Sequence, residues 1–353
     1  MMNSRERMLA AINRQPVDRI PTDIWATLEV WQKLRDHFGE GADIMSELHI
    51  DGMNAVAPAY AGPKLPELPK GEFADYWGSR SRLIPHEGGA YAEVFHHPLA
   101  KAKTIDDLND YQWPQADWFD YSNMRDRALA VREKRVVMCG TMMPFFFHNQ
   151  LRGLEQSLID PLMEPELTHE IISRITDFYH EQATRMFQAC EGLIDLSGVT
   201  DDLGSQTGPL ISPKTYLEFY APHHKRLIDL CHEFDIKVFH HDDGGCRPFI
   251  PMLVDMGIDV LNPIQWKCPG MDMDELKAEY GDRVCFHGAI ENQEILPFGT
   301  PEDVRAEVRH CIDALGSDGT GYILASSHNI QVVSPVENII AMYDEAYLYG
   351  KQQ

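Results

Sequence analysis

The sequence lacks several features that would assign it to common classes of protein. No apolar run reaches the roughly 18 residues that a membrane-spanning helix needs. The first residues do not contain the apolar core of a signal peptide. The seven cysteines are scattered and include no CxxC pair, which favours free thiols in a reducing cytoplasm over a disulfide framework. We therefore expect a cytoplasmic protein that does not act in a membrane.

Positive charge is also scarce. Lys and Arg together number 31 and Asp and Glu number 55, so the net charge is -24. This charge repels phosphate backbones and argues against a nucleic acid as partner. It also disfavours a substrate with many negative charges, unless a local basic pocket offsets the field. Neither GxGxxG after a strand nor GxxxxGK[ST] occurs, which weakens a nucleotide-binding interpretation.

What the chain does contain is an alternation of strand-like and helix-like segments with short connections, which indicates parallel βα units. Predicted strands cover residues 19–26, 51–57, 135–140, 192–197, 259–265, 283–287 and 321–325, and another begins at 237. Predicted helices include residues 27–39, 149–160, 166–189, 213–234, 246–256, 272–280 and 300–314. A count of about eight strands predicts an α/β fold, a (β/α)8 TIM barrel. A doubly wound open sheet is the alternative.

The barrel is predicted to have two additions. An N-terminal extension precedes the first strand, and an excursion with a hairpin lies near residues 60–100, where Gly and Pro are frequent. Barrels reach 353 residues with such insertions, so we expect one domain over residues 1–353.

One stretch in the second half of the chain, Lys237–Cys246, carries the densest set of chemically useful side chains. A β-leaning segment runs directly into two histidines, two aspartates and two glycines. Because strand side chains alternate between faces, His241 and Asp243 point one way and His240 and Asp242 the other. We expect His240 to pack against the helix layer.

Polar side chains also follow the other predicted strands. In a barrel these strand ends meet at one mouth, where active sites lie. His241, Asp243 and His328 form the sharpest group, because imidazoles and a carboxylate bind Zn²⁺ or non-haem Fe²⁺ and leave a position open. The alternative is a hydrogen-bonded His–Asp network without metal. The full set of strand-end groups is Asp23, His148, Asp201, Asp202, His241, Asp243, Gln265, His287 and His328.

Five stretches carry a recognisable pattern: residues 201–213 (DDLGSQTGPLISP), 241–244 (HDDG), 257–265 (GIDVLNPIQ), 286–288 (FHG) and 335–338 (PVEN). Through them the chain resembles the uroporphyrinogen decarboxylase superfamily over nearly its whole length. The resemblance implies a (β/α)8 barrel, and because members often dimerise it also implies a homodimer.

The decarboxylase branch of this superfamily carries an arginine-rich signature, R-x-P-x-W-x-M-R-Q-A-G, near its N-terminus. Residues 19–29 here read RIPTDIWATLE, so the arginines that would hold a polycarboxylate porphyrinogen are missing. Asp23 and Glu29 stand nearby instead. We therefore do not expect uroporphyrinogen as the substrate.

The corrinoid-linked methyltransferase branch is similar in a more informative way. Its coenzyme M members bind zinc through a His-x-Cys after one strand and a Cys after the last. Here Asp243 and His328 occupy the two Cys positions and His241 keeps the first. The resemblance therefore implies Zn²⁺, with Fe²⁺ as the alternative, on a site without thiolates. Such a site leaves the ion more electrophilic and favours an oxygen-containing substrate over a thiol.

We predict methyl transfer from a methyl ether, most simply a methoxylated aromatic compound, to a corrinoid on a partner protein. His287, Asp202 or Gln265 would orient the substrate or donate a proton to the leaving oxygen. The alternative function is a metal-assisted decarboxylase or lyase that acts on a small carboxylic acid at the same site. The side chains expected to bind the substrate are Asp23, Trp25, Phe146, His148, Asp201 and Trp266.

Overall fold

The computed structural model describes residues 1–86 and 89–351. The chain up to β7 forms short elements. Its helices are α1 Ser4–Ile12, α2 Leu28–Phe38, α3 Ile44–Glu47, α4 Ile105–Asn109 and α5 Met124–Arg132, with a 3-10 helix at Ala116–Trp118. Its strands are β1 Met53–Ala55, β2 Ala59–Tyr60, β3 Glu72–Ala74, β4 Arg80–His86, β5 Gly89–His96, β6 Phe119–Asp120 and β7 Val136–Met142.

The remainder of the chain alternates helices and strands. The helices are α6 Pro144–Arg152, α7 Leu154–Met163, α8 Pro165–Ala189, α9 Pro213–Phe219, α10 Ala221–Glu233, α11 Ile250–Met256, α12 Met273–Tyr280, α13 Ile295–Phe298, α14 Pro301–Leu315 and α15 Val336–Tyr349. The strands are β8 Leu196–Val199, β9 Gly204–Ser205, β10 Gly208–Pro209, β11 Lys237–His241, β12 Val260–Asn262, β13 Cys285–Ile290 and β14 Tyr322–Ser326. Within residues 1–86 and 89–351, no helix combines the length and apolarity needed to cross a bilayer.

Seven strands form one sheet in the order β1-β7-β8-β11-β12-β13-β14. All neighbouring pairs are parallel, and a helix lies in every connection from β7 onward. Strands β8, β12, β13 and β14 are buried along their whole length, as expected of strands covered on both faces. The spatial order follows the chain order without the reversal of a doubly wound sheet, so that alternative is wrong. The α/β class and the TIM-barrel-like arrangement agree with the prediction.

The first predicted strand, residues 19–26, is not a continuous strand. It makes two isolated parallel bridges to the C-terminal part of the chain, Thr22 with Leu324 and Ala26 with Ile330. On its other side, the carbonyl of Thr22 accepts hydrogen bonds from the backbone N–H groups that lead into β1. Pro21 cannot donate to a ladder, which limits regular pairing here. The segment therefore contacts both edges of the seven-stranded sheet, and a complete eight-stranded barrel stays a prediction.

The excursion near residues 60–100 contains the predicted hairpin. Strands β4 and β5 pair antiparallel, with Arg82 opposite Glu93, and β3 adds a third strand at the edge. Residues 87 and 88 lie outside the described residues.

Two predicted helices are each divided into two helices. The segment predicted at residues 213–234 is α9 and α10, which meet at Tyr220. The segment predicted at residues 149–160 belongs to α6 and α7, which meet at Gly153. Gly153 has a φ of +85°, a conformation that residues with a side chain rarely adopt. The long helix predicted at 166–189 is α8, within one residue of the expected start.

The predicted N-terminal extension contains α1, which packs against the amino ends of the sheet strands. Three buried side chains of α1, Met8, Ala11 and Ile12, join a separate apolar cluster with one buried residue from each of six sheet strands. These six are Val136, Leu196, Phe239, Val260, Cys285 and Ile323. Most of them stand at the first residues of their strands, so α1 covers the amino ends of the strands. The opposite ends carry the polar side chains described below.

A buried carboxylate ties the first extended segment to α1. Asp51 has no exposed surface and lies 2.6 Å from Nη1 of Arg7 and 2.8 Å from Nη1 of Arg19. It also accepts a hydrogen bond from the backbone N–H of Thr22 at 3.1 Å. Loss of one partner from such a cluster leaves buried charge without compensation. The cluster therefore fixes the segment beside β1.

Asp51→Ala should lower the free energy of unfolding by about 3–5 kcal/mol, because Arg7 and Arg19 would remain buried without their carboxylate. Urea denaturation followed by circular dichroism measures this loss. The control is Asp229→Ala, which removes a half-exposed ion pair with Lys225 one helical turn away and should cost about 0.5 kcal/mol or less. Equal losses in the two variants would contradict an anchoring role for the buried cluster.

Candidate metal centre

Three side chains from two strand ends meet at the carboxyl side of the sheet. His241 is the last residue of β11, Asp243 follows two residues later, and His328 lies two residues beyond β14. Their ligand atoms all lie within 4.8 Å of one another. Nε2 of His328 is 3.2 Å from Oδ2 of Asp243, and Nε2 of His241 is 3.8 Å from Oδ1 of the same carboxylate. The predicted ligand group is thus brought together.

Two glycines allow the loop after β11 to place Asp243. Gly244 has a φ of +77°, and a Cβ on it would lie 2.4 Å from the carbonyl oxygen of Ser205. A Cβ on Gly204 would lie 2.2 Å from the carbonyl oxygen of Asp243. The loop after β8 and the loop after β11 therefore pack backbone against backbone, which only glycine permits at these two positions. This contact fixes Asp243 relative to the strand ends.

The other two members of the stretch face away from the site, as alternation predicted. His240 and Asp242 are completely buried. Nδ1 of His240 donates to the carbonyl of Val199 at 2.6 Å. Oδ1 of Asp242 accepts from the backbone N–H groups of Leu203 and Gly204, and burial raises the pKa of this carboxyl. These two residues therefore hold the loop after β8 in place from the side that faces away from the His241 group.

Asp202 adds a second carboxylate to the group. Its Oδ1 lies 3.7 Å from Nε2 of His241. This oxygen is shielded from solvent and has no hydrogen-bond partner among the described residues. Burial raises the pKa of Asp243, although His241 and His328 nearby act to lower it. Two carboxylates and two imidazoles with an unsatisfied oxygen are a donor set that fits a divalent cation with nitrogen and oxygen ligands.

Gln265 supports the group from beside it. Its Nε2 donates to Oδ1 of Asp243 at 3.1 Å, and its Oε1 accepts from the backbone N–H of Gly244 at 2.8 Å. Both ends of this amide are therefore used by the loop that carries Asp243. Gln265 also lines a pocket beside the site, together with Gln206, Trp266, Lys267, Cys268, Ala289, Glu291, Asn292, Gln293 and Ser327.

Asn262, the last residue of β12, was not predicted as a site residue. Its Oδ1 lies 2.6 Å from Nδ1 of His241, and its Nδ2 lies 2.7 Å from Nδ1 of His287. Nε2 of His287 in turn lies 3.1 Å from Oδ2 of Asp23. Asn262 stands at a strand end, as the predicted polar groups do, and this position is the signal that could have identified it.

Two of the predicted substrate-binding residues lie beside the group. Asp23 is buried and contacts the site through His287. Trp25 is partly exposed, and its ring lies 5.6 Å from the ring of His241 and 5.8 Å from that of His287. The indole N–H of Trp25 donates to Oδ2 of Asp23 at 3.0 Å, which fixes the orientation of the ring.

Two other predicted substrate-binding residues are fully buried. His148 does not follow a strand as expected but lies inside α6, with Nδ1 2.8 Å from the hydroxyl of Tyr220. Asp201 accepts from the backbone N–H groups at the start of α6 and lies 2.6 Å from Nε2 of His224. Burial raises the pKa of Asp201 well above its usual range. Neither residue belongs to the His241 group.

The last two predicted substrate-binding residues are aromatic and partly exposed. Phe146 stands in the first turn of α6, and its backbone N–H donates to Asp201. Trp266 donates its indole N–H to Glu307 at 3.0 Å and lines the pocket beside Gln265. A substrate-binding role for either ring stays a prediction.

The fold and the site define an α/β protein with a His–Asp–His group that could hold a metal ion at the carboxyl ends of parallel strands. Residues 83–349 match the model of the uroporphyrinogen decarboxylase (URO-D) family. The chain therefore belongs to this family, which confirms the predicted membership.

The relatives include proteins of both branches. A methylated-thiol–coenzyme M methyltransferase of Methanosarcina mazei is 28% identical over 202 residues, which is 56% of this chain and 49% of that protein. The match thus spans about half the length of that relative. A uroporphyrinogen decarboxylase of Alkalilimnicola ehrlichii is 23% identical over 368 residues, covering 97% of this chain and 93% of that protein.

A solved structure supports the fold over the whole length of the chain. A methyltransferase from Methanosarcina mazei superposes with a TM-score of 0.66 at 17% sequence identity, covering 99% of both chains.

His241→Ala and His328→Ala should each lose most of the bound metal, because two remaining ligands hold a divalent ion weakly. Mass-spectrometric metal analysis after loading with Zn²⁺, or with Fe²⁺ without oxygen, measures the content. The control is His37→Ala, which removes an exposed histidine of α2 outside the group and should bind as the wild type does. Equally negligible metal in the wild type and both ligand variants would rule out the site.

Proposed function

We propose that this protein is a metal-dependent methyltransferase that takes a methyl group from a methyl ether and passes it to a corrinoid on a partner protein. The observation that carries the proposal is the His241, Asp243 and His328 group, which holds nitrogen and oxygen donors and no sulfur. The methyltransferase among the relatives supports methyl transfer as the class of reaction. The donor set favours an oxygen-containing methyl donor, most simply a methoxylated aromatic compound.

The three residues of this group would hold Zn²⁺, with Fe²⁺ as the alternative. A divalent ion there would supply positive charge beside the ether oxygen from which the methyl group is removed. The side chain of His241 is 14% exposed, whereas those of Asp243 and His328 are 30% and 37% exposed. The substrate would therefore approach from the side of Asp243 and His328, while His241 is held from behind.

The reaction breaks the bond between the ether oxygen and its methyl carbon. The reduced corrinoid would act as the nucleophile and take the methyl group, the electron pair of the broken bond would stay on oxygen, and a phenolate would leave. The phenolate then takes up one proton. Asp202 is the predicted catalytic residue best placed to orient the substrate or hand on this proton, because its carboxylate lies at the group with one unpartnered oxygen among the described residues.

Trp25 would pack against the aromatic part of the donor. Its ring is partly exposed and lies beside His241, and the hydrogen bond to Asp23 fixes its orientation. A fixed indole next to a ligand group suits a flat ring, because aromatic pairs gain about 0.5–1.5 kcal/mol beyond their area burial. Phe146 and Trp266 are proposed as further ring contacts.

A second candidate function is a metal-assisted decarboxylase or lyase that acts on a small carboxylic acid. The decarboxylase relative that covers nearly the whole chain favours it. Uroporphyrinogen itself is not supported, because Arg19, the one arginine that the N-terminal signature keeps, is buried in the ion pair with Asp51.

The purified, metal-loaded protein should methylate a reduced corrinoid protein when a methoxyarene is supplied, and it should release one phenol per methyl group. The absorption spectrum of the corrinoid and chromatography of the phenol measure the two products. Failure of methylation across a broad panel of methyl ethers would contradict the proposal. Release of CO₂ from small carboxylic acids without a corrinoid would instead support the second candidate.

Asp202→Asn should lower the methylation rate by about 100-fold, because the amide cannot hand on a proton as a carboxyl does. The rate is measured from the change in the corrinoid spectrum. The control is Asp177→Asn, which removes an exposed carboxylate paired with Arg226 and should leave the rate unchanged. An unchanged rate in Asp202→Asn would contradict a direct role for this carboxylate.

A further inference from the structure

We propose that Asn262 is a positioning residue that fixes the tautomer of His241. Its carboxamide links His287 to His241 in a chain of hydrogen bonds that starts at Asp23. Along this chain, each donor or acceptor role is set by the previous contact. The result is that His241 directs an unprotonated Nε2 toward Asp243 and Asp202. This inference rests on the metal site of the proposed function, but the tautomer itself exists without metal and is measured separately.

The chain of hydrogen bonds begins at a buried carboxyl group, that of Asp23. Asp23 is 2% exposed and lies within hydrogen-bond distance of the indole N–H of Trp25 at 3.0 Å, the backbone N–H of Met53 at 3.3 Å and Nε2 of His287 at 3.1 Å. The indole N–H of Trp25 and the backbone N–H of Met53 can only donate, so Oδ2 and Oδ1 of Asp23 each act as acceptors. Nε2 of His287 must therefore carry the proton and donate it.

The next step is imposed on Asn262. A neutral imidazole that donates from Nε2 has a lone pair on Nδ1. The amide group 2.7 Å from this Nδ1 must then be the NH₂ of Asn262, because an amide oxygen there would place two lone pairs against each other. Both side chains are 1% exposed, so bulk water does not compete for these contacts.

The last step reaches the ligand group. With its NH₂ committed to His287, Asn262 has only its carbonyl Oδ1 to offer to Nδ1 of His241, at 2.6 Å. A carbonyl oxygen only accepts, so Nδ1 of His241 carries the proton. Nε2 of His241 is then a free lone pair facing Asp202 at 3.7 Å and Asp243 at 3.8 Å. Outer hydrogen bonds of this kind set the tautomer and basicity of a metal-binding imidazole.

This arrangement also assigns a role to His287. Both of its ring nitrogens are engaged, one by Asp23 and one by Asn262, and the side chain is 1% exposed. It has no free nitrogen to donate to a substrate. His287 therefore acts through Asn262, which differs from the proton-donor role expected from the sequence.

Imidazole nitrogen signals of the metal-free, ¹⁵N-histidine-labelled protein test the tautomers directly. Long-range ¹H–¹⁵N correlation spectra should show His287 protonated at Nε2 and His241 protonated at Nδ1. In Asn262→Leu the signals of His241 should move toward a mixture of tautomers. His287 should keep its Nε2 proton, because Asp23 still accepts it. A wild-type His241 protonated at Nε2 would overturn the proposal, whatever the result of metal binding.

Metal affinity tests the consequence. In competition with a chromophoric chelator, Asn262→Leu should bind Zn²⁺ about 10–100-fold more weakly than the wild type. Asn262→Asp keeps an acceptor for His241 and should stay within a few-fold of the wild type, because a carboxylate also sets the tautomer and raises imidazole basicity. Equal losses of Zn²⁺ affinity in Asn262→Leu and Asn262→Asp would contradict the proposed donor and acceptor roles of the Asn262 amide.

The matched control is Asn338→Leu. Asn338 is also 1% exposed, but its amide donates to the backbone carbonyls of Leu296 and Gly299 away from the group. Its loss should change stability without changing Zn²⁺ affinity or the signals of His241. A similar fall in affinity in Asn338→Leu would attribute the effect to general loosening. If Asn262→Leu does not fold, the wild-type spectra and Asn262→Asp still decide the question. Absence of Zn²⁺ binding in the wild type would refute the metal site and leave the tautomer result standing.

Discussion

Asp23 is a buried side chain whose two carboxyl oxygens accept hydrogen bonds from groups that can only donate, and the arrangement at the strand ends follows from this constraint. Its three donors come from a tryptophan, a histidine and the backbone at the start of β1. Through them it orders the first extended segment, β13 and, by way of Asn262, the ends of β12 and β11. The position of Asp23 in turn depends on the Asp51 cluster, which holds residues 19–22 beside β1. Fold and site are therefore linked through one short segment.

Much of the fold and of the His241, Asp243 and His328 group could be predicted from the sequence, because both follow from periodic patterns. Alternation along β11 separates His241 from His240, and the repeat of strand and helix places His328 at the same end of the sheet. Asn262 also stands at a strand end, but an amide there is ordinary, and the two contacts that distinguish it from other polar residues are visible only in the structure. His148 was misplaced because α6 begins immediately after β7, so the residues that follow the strand already belong to a buried helix.

The segment at residues 19–26 shows a different limit. Its composition favours a strand, but Pro21 has no backbone N–H to donate, and the C-terminal part of the chain pairs with the segment only through isolated bridges. Regular pairing is a property of two partners, and the pattern of one segment cannot supply it. The same reasoning applies to Asp202, whose importance depends on the absence of a hydrogen-bond partner for Oδ1 among the described residues. Such an absence has no counterpart in a sequence motif.

The two sides of the ligand group have unequal surroundings, and this difference bears on the chemistry. His241 is fixed from behind by Asn262 and flanked by the ring of Trp25, whereas His328 is more exposed. A ligand set that is rigid on one side and open on the other can admit a substrate without losing its orientation. The proposal of an ether oxygen rather than a thiol as the methyl donor depends on this open side, where carboxylates and imidazoles surround the group and sulfur is absent from it. The carboxylates also argue against a polyanionic donor, since Arg19 is committed to Asp51 and cannot offset their charge.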